Sequence, residues 1–401
     1  MSISKIRFKG YDNSLKRNTI GDITTSFSGG TPKSSNKTYY EGNIPFIRSG
    51  EIKSKQTELL ISDEALKNSS AKMVEKGDIL YALYGATSGE VAISQINGAI
   101  NQAILAIKPN SGYSSEFIMN YLKKEKDNIL EKYLQGGQGN LSAAIVKSIE
   151  LYLPSQEEQS AIGSLFRTLD SLLASYKDNL ANYQSLKAIM LSKMFPKAGQ
   201  TVPEIRLDGF EVEWKKSKLK DVAHRVQGND GRMDLPTLTI SASGGWMNQI
   251  DRFSANIAGK EQKNYTLLKK GELSYNHGNS KLAKYGVVFE LQDYEEALVP
   301  KVYHSFRVNQ LANAKFIEIM FSTKIPDREL GKLVSSGARM DGLLNISFED
   351  FMNIAIIIPT IEEQQAIGTY FSNLDNLITA HQEKISQLET LKKKLLQDMF
   401  I

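Results

Sequence analysis

Residues 154–170 read P-S-Q-E-E-Q-S-A-I-G-S-L-F-R-T-L-D, and residues 359–375 read P-T-I-E-E-Q-Q-A-I-G-T-Y-F-S-N-L-D. Pro154, Glu157, Glu158, Gln159, Ala161, Ile162, Gly163, Phe166, Leu169 and Asp170 thus recur 205 positions later. The register persists to Met194-Phe195, which returns as Met399-Phe400. A fainter echo opens each half: Ile6-Arg7-Phe8-Lys9-Gly10-Tyr11 against Ile205-Arg206-Leu207-Asp208-Gly209-Phe210, 199 positions apart. Two matches at nearly equal offsets make the chain a duplicated unit of about 200 residues. Its halves are expected to be related by a pseudo-two-fold axis.

Each half divides into a globular part and a long helix. Pro154-Ser155-Gln156-Glu157-Glu158 and Pro359-Thr360-Ile361-Glu362-Glu363 have the hydroxyl and glutamate spacing of a capping box. Apolar residues then follow at steps of three and four: Ile162, Leu165, Leu169, Leu172 and Tyr176, then Tyr183, Leu186 and Met190 after a polar break at Asn179. The second copy runs Ile367, Tyr370, Leu374, Leu377, His381, then Lys384 beside Ile385, then Leu388, Leu391 and Leu395. This is an interrupted coiled-coil seam, and each copy is the other's nearest partner, antiparallel if a two-fold relates them. His381 on that seam reads as an interfacial polar residue. The globular parts mix short apolar strands (79–84, 104–107, 286–289, 354–358) and short helices (117–125, 316–323) with loops rich in Gly, Ser, Thr and Asn. The expected class is therefore α+β, with irregular, mostly antiparallel sheets. The boundaries are 1–154 for the first head, 155–196 for its helix, 197–204 for a linker, 205–358 for the second head and 359–401 for its helix.

Composition narrows the chemistry. The 401 residues contain no cysteine, which excludes disulfide scaffolds, thiolate-bound zinc, iron–sulfur clusters and thiol catalysis. Net charge is +4, with 24 basic against 19 acidic residues up to position 200 and 25 against 26 beyond it. Any binding surface for an anion is thus a local patch rather than a global field. No apolar run reaches membrane-spanning length and the first residues resemble no signal peptide, so a soluble cytoplasmic protein with no membrane partner is expected. His224, His277, His304 and His381 have no paired-ligand spacing, and no phosphate-cradling G-x-x-x-x-G-K-[ST] loop is present. Asn43-Ile44-Pro45-Phe46 imitates the N-P-P-F tetrad of DNA methyltransferases without its first proline, and reads as a turn entering a strand. Asp251 with Glu261 and Lys263 imitates a nuclease metal site, a pattern common by chance in charged chains. No catalytic, cofactor or metal residue is assigned.

What remains is loop chemistry suited to DNA, where lysines neutralise phosphates and Arg, Asn and Gln address base edges. In the first head the loop 28–40 supplies Thr31, Lys33, Ser34, Asn36, Lys37 and Tyr39, with glycines expected to let the backbone approach phosphates. Arg48 follows, then Tyr84, Thr87 and Ser88 in a second loop, and Gln135, Gln138 and Asn140 in a third. The second head offers Arg225, Gln227, Asn229 and Arg232, then Asn276, His277, Asn279 and Lys281, then Arg339.

Over essentially its whole length the chain resembles the specificity subunit of type I restriction–modification systems. The likeness rests on Gly29-Gly30-Thr31-Pro32 followed by Ile44-Pro45-Phe46-Ile47-Arg48, on the two P-x-x-E-E-Q-x-A-I-G repeats opening helices, and on the order head, helix, head, helix. The second head departs by lacking a G-G-T-P copy, Gln227-Gly228-Asn229-Asp230 standing nearby. The resemblance implies a subunit without an active site, each head recognising one half of a split sequence in double-stranded DNA. It implies antiparallel helices that space the heads and dock two methyltransferase subunits, with restriction subunits joining through those. S-adenosylmethionine and ATP with magnesium would then belong to the partners. A stand-alone DNA-modifying enzyme would need a methyl-donor or metal site, and a coiled-coil scaffold with carbohydrate- or peptide-binding heads would lack salt-sensitive DNA binding.

Overall fold

The repeated helix starts build two long helices. In the computed structural model, which describes residues 5–134, 140–253, 259–278, 280–334 and 343–400, they are Gln156–Lys193 and Ile361–Met399. Their 38 and 39 residues extend them to roughly 60 Å each. One arm of each expected capping box forms, since the Glu158 N–H donates to the Ser155 hydroxyl at 3.3 Å and the Glu363 N–H to Thr360 at 3.4 Å. The glutamate carboxylates do not turn back to close the box. They face arginines instead: Arg7 Nε donates to Glu158 Oε1 at 2.9 Å, and Arg206 Nε to Glu363 Oε1 at 2.8 Å.

This explains the repeat residue by residue. Both glutamates are 1% exposed, and each buried carboxylate is compensated by its guanidinium partner. The following glutamine joins helix to head. The side-chain oxygen of Gln159 accepts from the Ser114 N–H at 3.2 Å, and that of Gln364 from the Asn313 N–H at 2.9 Å. Ser114 and Asn313 in turn cap the head helices Ser115–Lys124 and Ala314–Ser322. Gly163 is required by the same joint, because a Cβ there would lie 2.8 Å from the Cβ of Glu116. The arms that open each half close it: the Ile6 N–H donates to the carbonyl of Asp398, and the Ile205 N–H to that of Lys193, both at 3.0 Å.

The chain divides into two compact units, Met1–Asp178 with Gln382–Ile401, and Asn179–His381, so each long helix contributes to both. Within each unit the helix segments run antiparallel. Asp170 pairs with Lys392 and Lys177 with Glu389 in the first, and Lys187 with Asp375 and Tyr183 with His381 in the second. The buried stripe keeps Ile162, Leu169, Ile367 and Leu374 of the expected seam and is displaced from it elsewhere. Ile162, Phe166, Leu169 and Leu173 are buried, as are Ile367, Phe371 and Leu374, whereas Leu172, Leu186, Leu377 and Leu391 are 40–45% exposed. The displacement has a cause in packing. Phe166 and Phe371 belong to the cores of the heads, so this part of each helix is oriented by a globular domain as well as by its partner helix.

In the first unit, strands Thr24–Ser28, Ile104–Pro109, Ile79–Ala82 and Val91–Ile93 form an antiparallel sheet in that order. A second sheet orders Leu59–Ile61, Ile44–Ile47, Gly98–Ile100 and Lys72–Val74, with Ile44–Ile47 and Gly98–Ile100 parallel. The second unit repeats the first sheet as Ala223–Arg225, His304–Val308, Leu273–Asn276 and Val287–Glu290. Two antiparallel pairs, Leu238–Ser241 with Gly245–Asn248 and Thr266–Lys269 with Glu296–Val299, joined by a parallel bridge between Thr237 and Leu298, correspond to the first unit's second sheet. The class is α+β and the sheets are mostly antiparallel, as expected from the sequence.

Candidate nucleic-acid interface

The glycines of the first loop serve the fold. A Cβ on Gly29 would fall 1.9 Å from the carbonyl oxygen of Ile100, and one on Gly30 would fall 2.5 Å from the Cβ of Ser70. Both glycines let the loop pack against the protein's own backbone, and this replaces the expectation that they approach phosphates. So anchored, the loop presents Thr31, whose hydroxyl donates to the side-chain oxygen of Gln102. The phenol of Tyr84 donates to the Gln102 carbonyl, and Tyr84 also bridges to Asn140. Loops far apart in sequence therefore converge on the turn 101–103.

Some expected contact residues are committed elsewhere. Asn36 caps the short 3-10 helix Lys37–Tyr40, its Oδ1 accepting from Thr38. Tyr39 packs against a core cluster and its hydroxyl accepts from Asn68 at 3.3 Å. Ser88 donates to the Leu83 carbonyl at 3.1 Å. Arg48 is held by Glu51 at 3.0 Å and by Glu58, and hydrogen bonds to those carboxylates push its pKa still higher. Lys33, Ser34 and Lys37 are exposed and have no ion pair among the described residues, and Thr87 is half-buried. Gln135 and Gln138 lie outside the described residues.

The second unit repeats the loop geometry with other side chains. The Leu344 N–H donates to the His277 carbonyl at 2.9 Å, as that of Leu141 does to Leu83 at 2.8 Å, and Gly278 bridges to Leu343 as Tyr84 does to Asn140. His277 is not presented to a ligand. It is 5% exposed, and its ring nitrogens lie 2.7 Å from the Leu344 carbonyl and 2.9 Å from the Val302 carbonyl. Asn276 donates to the Ile240 carbonyl at 3.2 Å and accepts from Gly278, while Asn229 donates to the carbonyls of Arg232 and Gln262. Arg232 is paired with Glu296 at 2.7 Å, a hydrogen bond that raises its pKa. Gln227 and Lys281 are exposed. Arg225 stacks 4.4 Å from the ring centroid of Phe348 and lies 3.7 Å from Glu349, with about half its side chain exposed. Asn279 and Arg339 lie outside the described residues.

Gln102 escaped the sequence reading because Asn101-Gln102 sits between two apolar strands, outside any glycine-rich stretch. Its one signal was an exposed amide in a short connection between strands. Among the described residues no three His, Asp or Glu side chains are grouped to hold a metal ion, and no helix is long and apolar enough to cross a membrane.

Residues 15–183 and 211–390 each match the family described as the type I restriction modification DNA specificity domain. The MjaVIII type I restriction enzyme specificity subunit of Methanocaldococcus jannaschii is 21% identical over 393 residues, covering 94% of this chain and 90% of that protein. The MjaIX specificity subunit of the same organism is 30% identical over 166 residues, 39% of this chain and 38% of that one. The crystal structure of a type I restriction–modification system S subunit from M. genitalium aligns with a TM-score of 0.61 at 14% identity, covering 100% of this chain and 99% of that one, and so shares its fold. With the matched family spanning both units and the joint residues repeated in each, the chain belongs to the type I restriction–modification DNA specificity family.

Proposed function

We propose that the chain is the sequence-reading subunit of a type I restriction–modification complex, recognising a split, asymmetric DNA target with one half-site per head, 1–154 and 205–358. The observation that carries this reading is a repeated joint beneath differing loops. Arg7–Glu158 and Arg206–Glu363 repeat almost atom for atom, while equivalent loops carry Tyr84 and Asn140 in one unit and Gly278 and Leu343 in the other. Equal supports under unequal surfaces suit two different half-sites. Lys33, Ser34 and Lys37 are assigned to phosphates; Thr31, Tyr84, Thr87 and Asn140, with Gln135 and Gln138, to positioning and base edges. In the second head the assignment goes to Arg225, Gln227 and Lys281, with Asn279 and Arg339.

The subunit is non-catalytic in this reading. Methyl transfer from S-adenosylmethionine belongs to two methyltransferase partners, and ATP with magnesium to restriction subunits recruited through them. The exposed leucines support docking of two copies of one partner: Leu172 and Leu377 are 43% and 42% exposed, and Leu186 and Leu391 are 40% and 45%. Solvent-exposed leucine repeated at equal positions is not needed to pack the helices, and suits a duplicated apolar contact.

Co-expression with the methyltransferase subunit, followed by sequencing of methylated sites, is expected to reveal one two-part target. A complex that methylates without sequence preference, or a purified chain that transfers methyl groups alone, would refute the reading. Lys33→Ala and Lys37→Ala are each expected to weaken binding about equally on all sequences and to reduce the slope of log K against log salt by about one. Titrations at several salt concentrations check this, and a changed target would count against it.

A further inference from the structure

We infer that Gln102 is a base-reading residue of the first head, held by Thr31 so that its side-chain NH2 meets a hydrogen-bond acceptor on a base edge. The inference rests on the DNA-reading function proposed above and adds to it a residue and a hydrogen-bond polarity.

The argument begins with rigidity. Gln102 lies at the tip of a three-residue turn between strands Gly98–Ile100 and Ile104–Pro109, where the chain passes from one four-stranded sheet to the other. The turn is pinned on both sides. The Asn101 N–H donates to the Ile47 carbonyl at 3.3 Å, Asn101 Oδ1 accepts from the Ala103 N–H at 3.1 Å, and the Ile104 N–H donates to the Asn101 carbonyl. The phenol of Tyr84 holds the Gln102 carbonyl. A side chain presented for specific recognition needs such a base, since loose groups lose rotamer entropy on binding.

Polarity comes next. Gln102 is exposed, and its Oε1 accepts from the Thr31 hydroxyl. With Oε1 turned to Thr31, the amide presents Nε2 outward. Nε2 has no acceptor among the described residues, so the outward function of the side chain is donation. In the major groove guanine offers N7 and O6, adenine N7 and thymine O4, whereas cytosine offers only its N4 donor. A donating Gln102 therefore admits guanine, adenine or thymine and rejects cytosine.

The second unit builds the same turn with a different tip. The Tyr303 N–H donates to the Pro300 carbonyl at 3.0 Å as that of Ile104 does to Asn101, Tyr275 pairs with His304 as Tyr81 does with Leu105, and the exposed Lys301 stands at the position of Gln102. The same support carrying glutamine in one unit and lysine in the other suits the reading of two different half-sites.

The test uses the full chain co-expressed with its methyltransferase subunit on DNA carrying randomised half-sites. Gln102→Ala is expected to relax discrimination at one base position by about 5- to 150-fold and leave the other half-site unchanged. Gln102→Glu, which can only accept, should turn that position toward cytosine. Thr31→Val should soften the same position by a smaller factor. If the wild type has a two-part target and both Gln102 variants keep every base preference, the inference fails and the proposed function stands. If the wild type shows no such target, the proposed function itself fails.

Discussion

The carboxylate of Glu363 receives two donors from Arg206 and one from the indole of Trp214, at 2.8, 2.6 and 3.3 Å, and is 1% exposed. Truncating the guanidinium strands a buried charge, which costs far more than the net worth of the pair. Arg206→Ala is expected to destabilise the protein by about 3–5 kcal/mol and Arg206→Lys by less, because lysine keeps the charge but loses the fork. Urea unfolding measures both; equal losses would show that packing rather than charge matters. His304 gives a pH signature. Its Nε2 lies 2.9 Å from the Ile346 carbonyl, its ring stacks 4.8 Å from that of His277, and burial pushes its pKa down to about 4. Below about pH 6.5 the unfolded chain binds a proton that the native ring refuses, so stability is lost as pH falls from 6.5 toward 4. Between pH 7.5 and 5 the wild type should lose about 2 kcal/mol more than His304→Gln, which keeps a donor without titrating. Identical pH profiles would place the titration elsewhere.

The helices divide their labour along their length. In the first unit the end of the second helix supplies Leu388, Met399 and Phe400 to the core, with Phe400 4.9 Å from Phe117 and 5.8 Å from Phe166. In the second unit Phe195 does the same, 5.6 Å from Phe316 and 5.7 Å from Trp214. A fragment of residues 1–200 has lost Phe400 but carries Met194-Phe195 at the equivalent point of its own helix. Two such fragments are expected to exchange these ends, forming an antiparallel dimer that recognises a palindrome of the first half-site. Sedimentation decides it: a fragment monomeric at micromolar concentration with its helix fully formed would refute the exchange. Helix starts and period were legible from Ser155, Thr360 and the apolar spacing. Ile162, Leu169, Ile367 and Leu374 of the expected seam are buried, but Phe166 and Phe371 are buried in place of Leu165 and Tyr370, because they answer to a head core whose residues are distant in sequence.

At the scale of the whole molecule, each long helix passes from one compact unit into the other, near Asn179 and near Lys384. Inserting four residues at both places adds about 6 Å to each helix and turns it by roughly 400°, close to one full turn. With about 3.4 Å per base step, the spacer between half-sites is expected to grow by one or two base pairs while the half-sites stay the same. Two-residue insertions turn each helix by about 200° and should abolish paired recognition. Sequencing of methylated sites checks both. Full-rate modification at the original spacing by the four-residue variant would show that the helices do not set the distance.

The duplication, the two helices, the α+β class and the family are properties of local pattern: a motif met twice, a period near 3.6, short apolar runs between turn residues. These need only neighbours in sequence, so they are visible in it. Which polar residues are free for a ligand is not a local property. Arg48, Arg232, Asn36 and His277 have the chemistry of DNA contacts, yet carboxylates, a helix cap and backbone carbonyls from other segments claim them. Gly29 and Gly30 resemble a phosphate-binding loop and instead admit the protein's own backbone. Gln102, unremarkable in sequence, becomes the meeting point of Thr31 and Tyr84 because residues 71 and 18 positions away fold onto it. Hydrogen-bonding capacity is written in each side chain, but whether it is spent inside the fold or left for a partner depends on which distant groups arrive beside it, and only the tertiary structure decides that.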